Sequence, residues 1–391
     1  MNYSNTSVST FTENLILNIF KEINVKTDFY LTCTPGLEFM SSREVEHLKI
    51  GYSIEEKSGK GRVFFRSEYS KIPEMHCVLR TAERIVLLLE RCTVNGLDEI
   101  YRVVKKLDFS FIEPEWSFAV RSTRAGNHDF TSIDIGRVAG KAVIDSYMES
   151  RGVRLRVNLD EPDVIVRCDL IGNDFMVGID MTGDEGLHRR RYRVYQHPAP
   201  LNPVIAASLV YLSEWYHKNT LLDPFCGSGT ILFEAGMMAR NIPICRFRKD
   251  FAFTRFFSKV PETRENRVNL KLYGVERFRK HVEGARIIAK HVHIYPKFLE
   301  GYAERINEYF DEIDFIITNP PYGFRIGKKK VIEDLYSSFL KSTSEILKKK
   351  LVLITAERNV FEKYAREYFE DFQRYDVRYG GLITGVYVIE A

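Results

Sequence analysis

Across 391 residues there is no C-x-x-C pair, and the six cysteines (Cys33, Cys77, Cys92, Cys168, Cys226 and Cys245) are scattered. That spacing offers neither a zinc site nor a disulfide framework, so reduced, mostly buried thiols are the expectation. Long apolar runs are lacking as well. The stretch from Ile85 to Leu89 is among the longest, far short of the ~18 residues a membrane helix needs, and no bilayer span is expected. Glu13 precedes Leu15, Ile16 and Leu17, with no small-residue cleavage site; a secretory signal looks different, and a cytoplasmic location is expected. Charge of one sign is scarce: 57 Lys and Arg face 53 Asp and Glu, leaving +4, too little by itself to mark a nucleic-acid binder. Internal repeats and low-complexity segments are absent, and with 45% hydrophobic and 28% charged residues disorder and collagen-like fibres are excluded.

What the chain has is length and an uneven charge. At about 150 residues per domain it holds two or three domains. Residues 1–180 sum to −4 and residues 181–391 to +8, so the positive field lies on the C-terminal half, one signature of a phosphate-rich partner, although moderate charge of this kind equally serves solubility alone.

Apolar periodicity divides the chain further. Residues 1–27 read as an extension with a short helix over 13–26. Residues 28–105 read as a small α+β unit: a strand from Phe29, a Pro35-Gly36 turn, a helix over 37–48, a strand at 62–65 and a helical stretch through 79–89. A second such unit over 106–181 has strands near 116–121, 153–158, 163–170 and 175–180 around a helix at 133–148. The segment 182–203 is a linker, with four arginines in five residues (Arg189, Arg190, Arg191, Arg193) and three prolines that block regular structure. From 204 to 391, apolar strands near 220–223, 270–275, 314–318 and 351–355 alternate with helices, the βαβ signature of a doubly wound parallel sheet, and a strand pair near 375–378 and 384–390 closes it.

Three motifs carry chemistry. Leu221-Leu222-Asp223-Pro224-Phe225-Cys226-Gly227-Ser228-Gly229-Thr230 runs a strand into a glycine loop that opens a helix. It is neither G-x-G-x-x-G nor a P-loop. Asp223 repels a pyrophosphate but suits the amino group of an amino-acid-bearing cofactor such as S-adenosylmethionine (SAM). Glu276, at the end of the next strand, can accept both hydroxyls of a ribose; the bland alternative is a solvated loop glutamate among Arg277, Arg279 and Lys280. In Asp314-Phe315-Ile316-Ile317-Thr318-Asn319-Pro320-Pro321-Tyr322-Gly323, two prolines stiffen the strand end. The Asn319 amide and the Pro320 carbonyl become paired acceptors beside the Tyr322 ring, which suits a planar base with an exocyclic NH2.

These residues resemble the class I SAM-dependent amino-methyltransferases. Leu187-His188-Arg189-Arg190-Arg191-Tyr192-Arg193 with Ala199-Pro200-Leu201 narrows the resemblance to the THUMP-containing RNA guanine-N2-methyltransferases, above all those that modify guanosine 6 in the tRNA acceptor stem. The resemblance covers residues from about 29 to 391. It implies an α/β fold, a Rossmann-like class I methyltransferase domain behind ferredoxin-like and THUMP α+β domains. It implies SAM as cofactor, tRNA through its acceptor stem and 3′ end as partner, and no metal. Carried over position by position, it implies a catalytic set of Asn319, Pro320 and Tyr322. Cofactor contacts would come from Leu201, Asp223, Pro224, Phe225, Gly227, Ser228, Gly229, Thr230, Glu276, Tyr302, Ala303 and Asn319. Two departures stand out: Tyr302 occupies a place where the family commonly has an acid that contacts adenine, so stacking replaces a hydrogen bond there, and the segment before Phe29 has no evident counterpart.

For RNA, Arg121, Arg124, His128 and Arg137 around the first helix of the second unit are candidates to hold an RNA end, and Arg189, Arg190 and Arg191 in the linker and Lys328, Lys329 and Lys330 after the proline turn are candidate phosphate contacts. Arg137 could equally cap its helix, and Lys348 to Lys350 could be a solvated face. Phe247, Phe251, Phe253, Phe256 and Phe257 are expected to fill core beside the sheet. Other functions compatible with these motifs are a ribosomal RNA guanine-N2-methyltransferase, an N6-adenine RNA methyltransferase, and a catalytically silent RNA-binding protein.

Overall fold

In the computed structural model residues 25–322 and 329–391 are described; the helix expected over 13–26 lies outside them but for its last two residues. Alternating apolar side chains build a first sheet from β1 (Lys26–Cys33), β2 (Tyr52–Lys57), β3 (Arg62–Glu68) and β4 (Ala82–Thr93), with α1 (Glu38–His47) and α2 (Ile72–Val78) packed on it. The stretch 79–89, expected to be helical, is the long strand β4. Its run Ile85 to Leu89 lies between β1 on one side and β8 (Asp174–Asp180) on the other. A short apolar run reads alike for a buried helix and a central strand, and long-range pairing decides between them.

That β4–β8 pairing also joins the two small units. With β5 (Ser117–Ala125), β6 (Arg156–Val157) and β7 (Val164–Ile171) they share one eight-stranded sheet, in the order β2-β3-β1-β4-β8-β7-β5-β6. Helix α3 (Leu97–Lys105), unforeseen in the sequence and inside the range read as the first unit, packs instead on α4 (Ser132–Arg151) of the second. Thr131 and Asp134 form a reciprocal capping box at the start of α4, and left-handed Gly152 ends it.

The second sheet runs β11-β10-β9-β12-β13-β15-β14. Its parallel strands are β9 (Thr220–Asp223), β10 (Lys271–Glu276), β11 (Lys297–Glu300), β12 (Ile313–Thr318) and β13 (Leu347–Thr355); β14 (Gln373–Tyr379) and β15 (Leu382–Glu390) form an antiparallel hairpin beside β13. Neighbouring residues on a strand face opposite ways. Leu221, Ile317 and Val352 pack with α5 (Pro203–Ser213), α6 (Thr230–Ala239) and α7 (Arg279–Val292), while Leu222, Ile316 and Leu351 pack with α8 (Lys329–Ile346) and α9 (Arg358–Tyr368). Helices on both faces make a doubly wound domain whose strand order reverses between β9 and β12, where open α/β sheets bind ligands.

The segment between α6 and β10 ties the parts together. Phe251 and Phe253 are buried in the core of the N-terminal sheet, with Phe256 and Phe257 against it; Phe247 packs on the catalytic core. The phenylalanines therefore fill an interdomain core. Cys77 on α2 and Cys245 form a disulfide, so the expectation of uniformly reduced thiols is corrected for this pair; Cys33, Cys92, Cys168 and Cys226 are free. Partners 168 residues apart leave no spacing signal. No described helix is long and apolar enough to cross a membrane.

Candidate active site

The site forms where β9, β10 and β12 end side by side. Asp223 closes β9 and is 2% exposed. Its Oδ1 accepts from the Thr318 hydroxyl of β12 (2.7 Å) and from the Phe225 amide (3.2 Å). Burial, with a smaller push from the Glu276 charge, raises its carboxyl to about 7 despite those two donors. A buried carboxyl so short of countercharge is suited to an ammonium group.

The glycine loop follows. Gly229 has φ of +82°, and a Cβ there would lie 2.9 Å from the Phe233 ring and 3.1 Å from that of Phe298, so only glycine makes the turn into α6. Pro224, Ser228 and Thr230 are buried, and Phe225 lies edge-on to Phe339. Glu276 fastens the loop from the next strand: its Oε2 accepts from the Gly227 amide (3.1 Å) and its Oε1 from the Phe278 amide (2.8 Å). Leu201 is buried in the same core as Cys226. A Cβ on Gly227 would sit 3.3 Å from the His197 ring, which packs 4.1 Å from His281. Tyr302, 48% exposed, and buried Ala303 follow β11, with the Arg277 guanidinium 5.7 Å from the Tyr302 ring.

Past β12, Pro320 is buried and Asn319 and Tyr322 are half-buried. Among the described residues, the buried Asn319 Oδ1 has no hydrogen-bond partner. An unpaired buried carbonyl is costly unless something else completes it, and this one is free to accept a donor. The three motifs thus converge on a single rim. Sequence reading missed Thr318, which orients Asp223; a hydroxyl residue at a strand end beside an acid was the available signal.

The basic candidates separate. Arg190 is 4% exposed and is no phosphate contact: its guanidinium bonds Glu234 Oε1 (3.3 Å), the Arg80 carbonyl (2.8 Å) and the Leu187 carbonyl. Glu234, fully buried on α6, also accepts from Arg80 (3.4 Å) and Tyr192 (2.9 Å), so linker, first unit and catalytic domain meet at one carboxylate. A lone acid in the apolar run Ile231 to Met238 was its only sequence signal. Arg189 is exposed, whereas Arg191 pairs with Glu185 and Asp250. Arg121 pairs with Asp184, Arg124 bonds His128, and Arg137 pairs with Asp134 of the capping box while lining a groove of about 780 Å³ between β5 and α4. Lys328 lies outside the described residues; Lys329 begins α8 and Lys330 is exposed. Lys348, Lys349 and Lys350 all pair with acids. Among the described residues no three His, Cys, Asp or Glu gather as metal ligands.

Comparison with known proteins is consistent along the chain. A family model described as "RMKL-like, methyltransferase domain" matches residues 190–384, a THUMP domain model 94–180, and an RlmL ferredoxin-like domain model 28–86. The chain is 48% identical over 366 residues to a tRNA (guanine(6)-N2)-methyltransferase of Archaeoglobus fulgidus, covering 92% of this chain and 91% of that one. It is 45% identical over 380 residues to the protein of the same name from Methanocaldococcus jannaschii, covering 93% and 99%. Among solved structures, a possible methylase from Clostridium difficile 630 superposes with a TM-score of 0.80 at 26% identity, covering 93% of this chain and 98% of that one.

Proposed function

The chain belongs to the THUMP-containing, SAM-dependent tRNA guanine-N2-methyltransferases, and from that premise we propose that its target is guanosine 6 in the acceptor stem, methylated through Asn319. The observation that carries the role of Asn319 is its buried Oδ1, without a partner among the described residues. This acceptor receives an N2–H of guanine and turns the nitrogen lone pair toward the cofactor side, with the Pro320 carbonyl as second acceptor and the Tyr322 ring against the base. Asp223 receives the ammonium of SAM, Glu276 its ribose hydroxyls, and the glycine loop lets the backbone approach closely. When bound, SAM supplies a methyl activated by its sulfonium. The guanine N2 held by Asn319 would take that methyl as the sulfonium gives it up, and the alkylated amine would lose its proton readily to water. No strong base is required, and Asn319, an amide, is not one.

Acceptor-stem tRNA as the target rests on the guanine(6) names of the two relatives and on the THUMP domain, with exposed Arg189, Arg137 and Lys330 available for phosphate. The test is nucleoside analysis of tRNA incubated with the enzyme and labelled SAM. Label is expected in N2-methylguanosine, at position 6 on mapping. Label in N6-methyladenosine, or only in ribosomal RNA, overturns the reading. Asn319→Ala should lower single-turnover transfer by ~10²-fold or more with SAM affinity nearly intact, and Asn319→Asp, which keeps an acceptor, should retain measurable activity. Transfer at the parental rate by the alanine variant removes Asn319 from the mechanism.

A further inference from the structure

The tip of the β14–β15 hairpin exposes two adjacent aliphatic side chains next to a glycine turn. Tyr379 and Leu382 face each other across a two-residue turn, Gly380-Gly381, with φ of +58° and +80°, the left-handed pair of a tight hairpin turn. A Cβ at either glycine would meet nothing within 4 Å, so the turn stands in open space. Behind it are Leu382, 49% exposed, and Ile383, 57% exposed, with exposed Arg378 directly across from Ile383. Adjacent exposed aliphatics at a projecting tip are not explained by the core, which begins at Thr384.

Strand register places this tip on the rim of the active site. Thr318 lies beside Leu353, Leu353 beside Tyr387, and Thr355 beside Gly385. With strands about 4.8 Å apart and a rise of about 3.3 Å per residue, Ile383 stands about 10 Å across and about 10 Å beyond Asn319. Beneath this rim the Tyr336 hydroxyl meets that of Thr355 at 2.6 Å, and burial pushes its phenol up. The hairpin is also braced by the N-terminal unit, through the Arg378 amide on the Pro35 carbonyl (2.9 Å) and the Phe39–Tyr375 ring stack (4.9 Å).

A guanine in a stem cannot be methylated in place. The lone pair of its N2 points perpendicular to the ring, along the stacking axis, where neighbouring base pairs block a methyl donor. The base must leave the stack, and the vacated step closes again unless filled; apolar side chains fill such steps elsewhere. We propose that this tip, apolar on both faces with Leu382 on one and Ile383 on the other, is a wedge that enters the gap left by the extruded guanosine, with Arg378 on the adjoining phosphate. The proposal rests on the stem-guanosine reading above.

The test uses the full-length enzyme and two tRNA transcripts, one with the target guanosine paired and one in which the opposing nucleotide lacks a base. The double variant L382A/I383A is compared with the parent in single-turnover methylation. Loss of about 10- to 100-fold is expected on the paired transcript, the scale of an unstacking step no longer compensated. On the opened transcript the two enzymes should agree within about twofold, with unchanged SAM binding by calorimetry and unchanged melting temperature. Leu382→Met with Ile383→Leu should restore the paired rate. Equal rates on the paired transcript, or equal losses on both, overturn the wedge. So does a variant that changes only the oligomeric state by light scattering, which makes the tip a contact between copies of the chain. If the parent itself methylates neither transcript, the stem-guanosine reading falls and the wedge with it.

Discussion

Asp223→Asn separates what the active site costs the fold from what it does for the cofactor. Burial raises this carboxyl from an ordinary 3.8 to about 7, so the folded protein holds the proton more tightly than the unfolded chain. The stability gained from that proton is complete below about pH 4 and is lost as pH rises through about 7, a swing on the order of 4 kcal/mol at 1.36 kcal/mol per unit. Asparagine mimics the protonated form at every pH and keeps an oxygen for Thr318 and for the Phe225 amide. The variant should therefore match the parent near pH 4 and exceed it by that amount at pH 8, read as a melting-temperature difference that widens with pH. SAM binding should move the opposite way. Removing a charged partner costs about 1.5 to 3 kcal/mol, a loss on the order of 10- to 150-fold in affinity by calorimetry at pH 8. The parent, about half protonated near pH 7, should release a proton on binding, visible as a dependence of binding enthalpy on buffer, and the variant should not. A stability difference that stays flat between pH 5 and 8, or a variant less stable at pH 8, would refute the argument that burial holds Asp223 protonated.

Three further outcomes follow from the geometry. Glu276→Ala should weaken SAM binding by about 1.5 to 3 kcal/mol; an unchanged dissociation constant in calorimetry returns Glu276 to being a loop-fastening residue alone. Arg190→Ala strips a partner from fully buried Glu234 and should destabilise by about 3 to 5 kcal/mol, whereas Arg189→Ala should leave melting untouched and reduce the salt slope of tRNA binding by about 1; equal melting of both variants contradicts this division. Alkylation under denaturing, non-reducing conditions should modify Cys33, Cys92, Cys168 and Cys226 alone, and all six cysteines after reduction. Closing so long a loop is worth up to about 5 kcal/mol, so reductant should lower the melting temperature of the parent and leave Cys77→Ser/Cys245→Ser unaffected; full alkylation without reductant removes the bridge.

The fold class and the methyl-transfer chemistry were legible in the sequence because their determinants are local. A glycine loop after a strand, an acid at a strand end and two prolines behind Asn319 constrain the backbone within a few residues, and apolar parallel strands spaced by helices need no partner to be recognised. Tertiary structure decided the rest, wherever the deciding contact is remote. The run Ile85 to Leu89 is a strand because β1 and β8 flank it, and Arg190 is a buried tie instead of an RNA contact because Glu234 and Arg80 converge on it. Cys77 finds Cys245 across 168 residues, and Leu382 and Ile383 come to the rim of the sheet end that holds the site only through the register of β13 and β15. Charge, apolarity and thiol chemistry are properties of a residue, read directly from its name; burial and pairing are properties of its neighbours, and these neighbours lie far away along the chain.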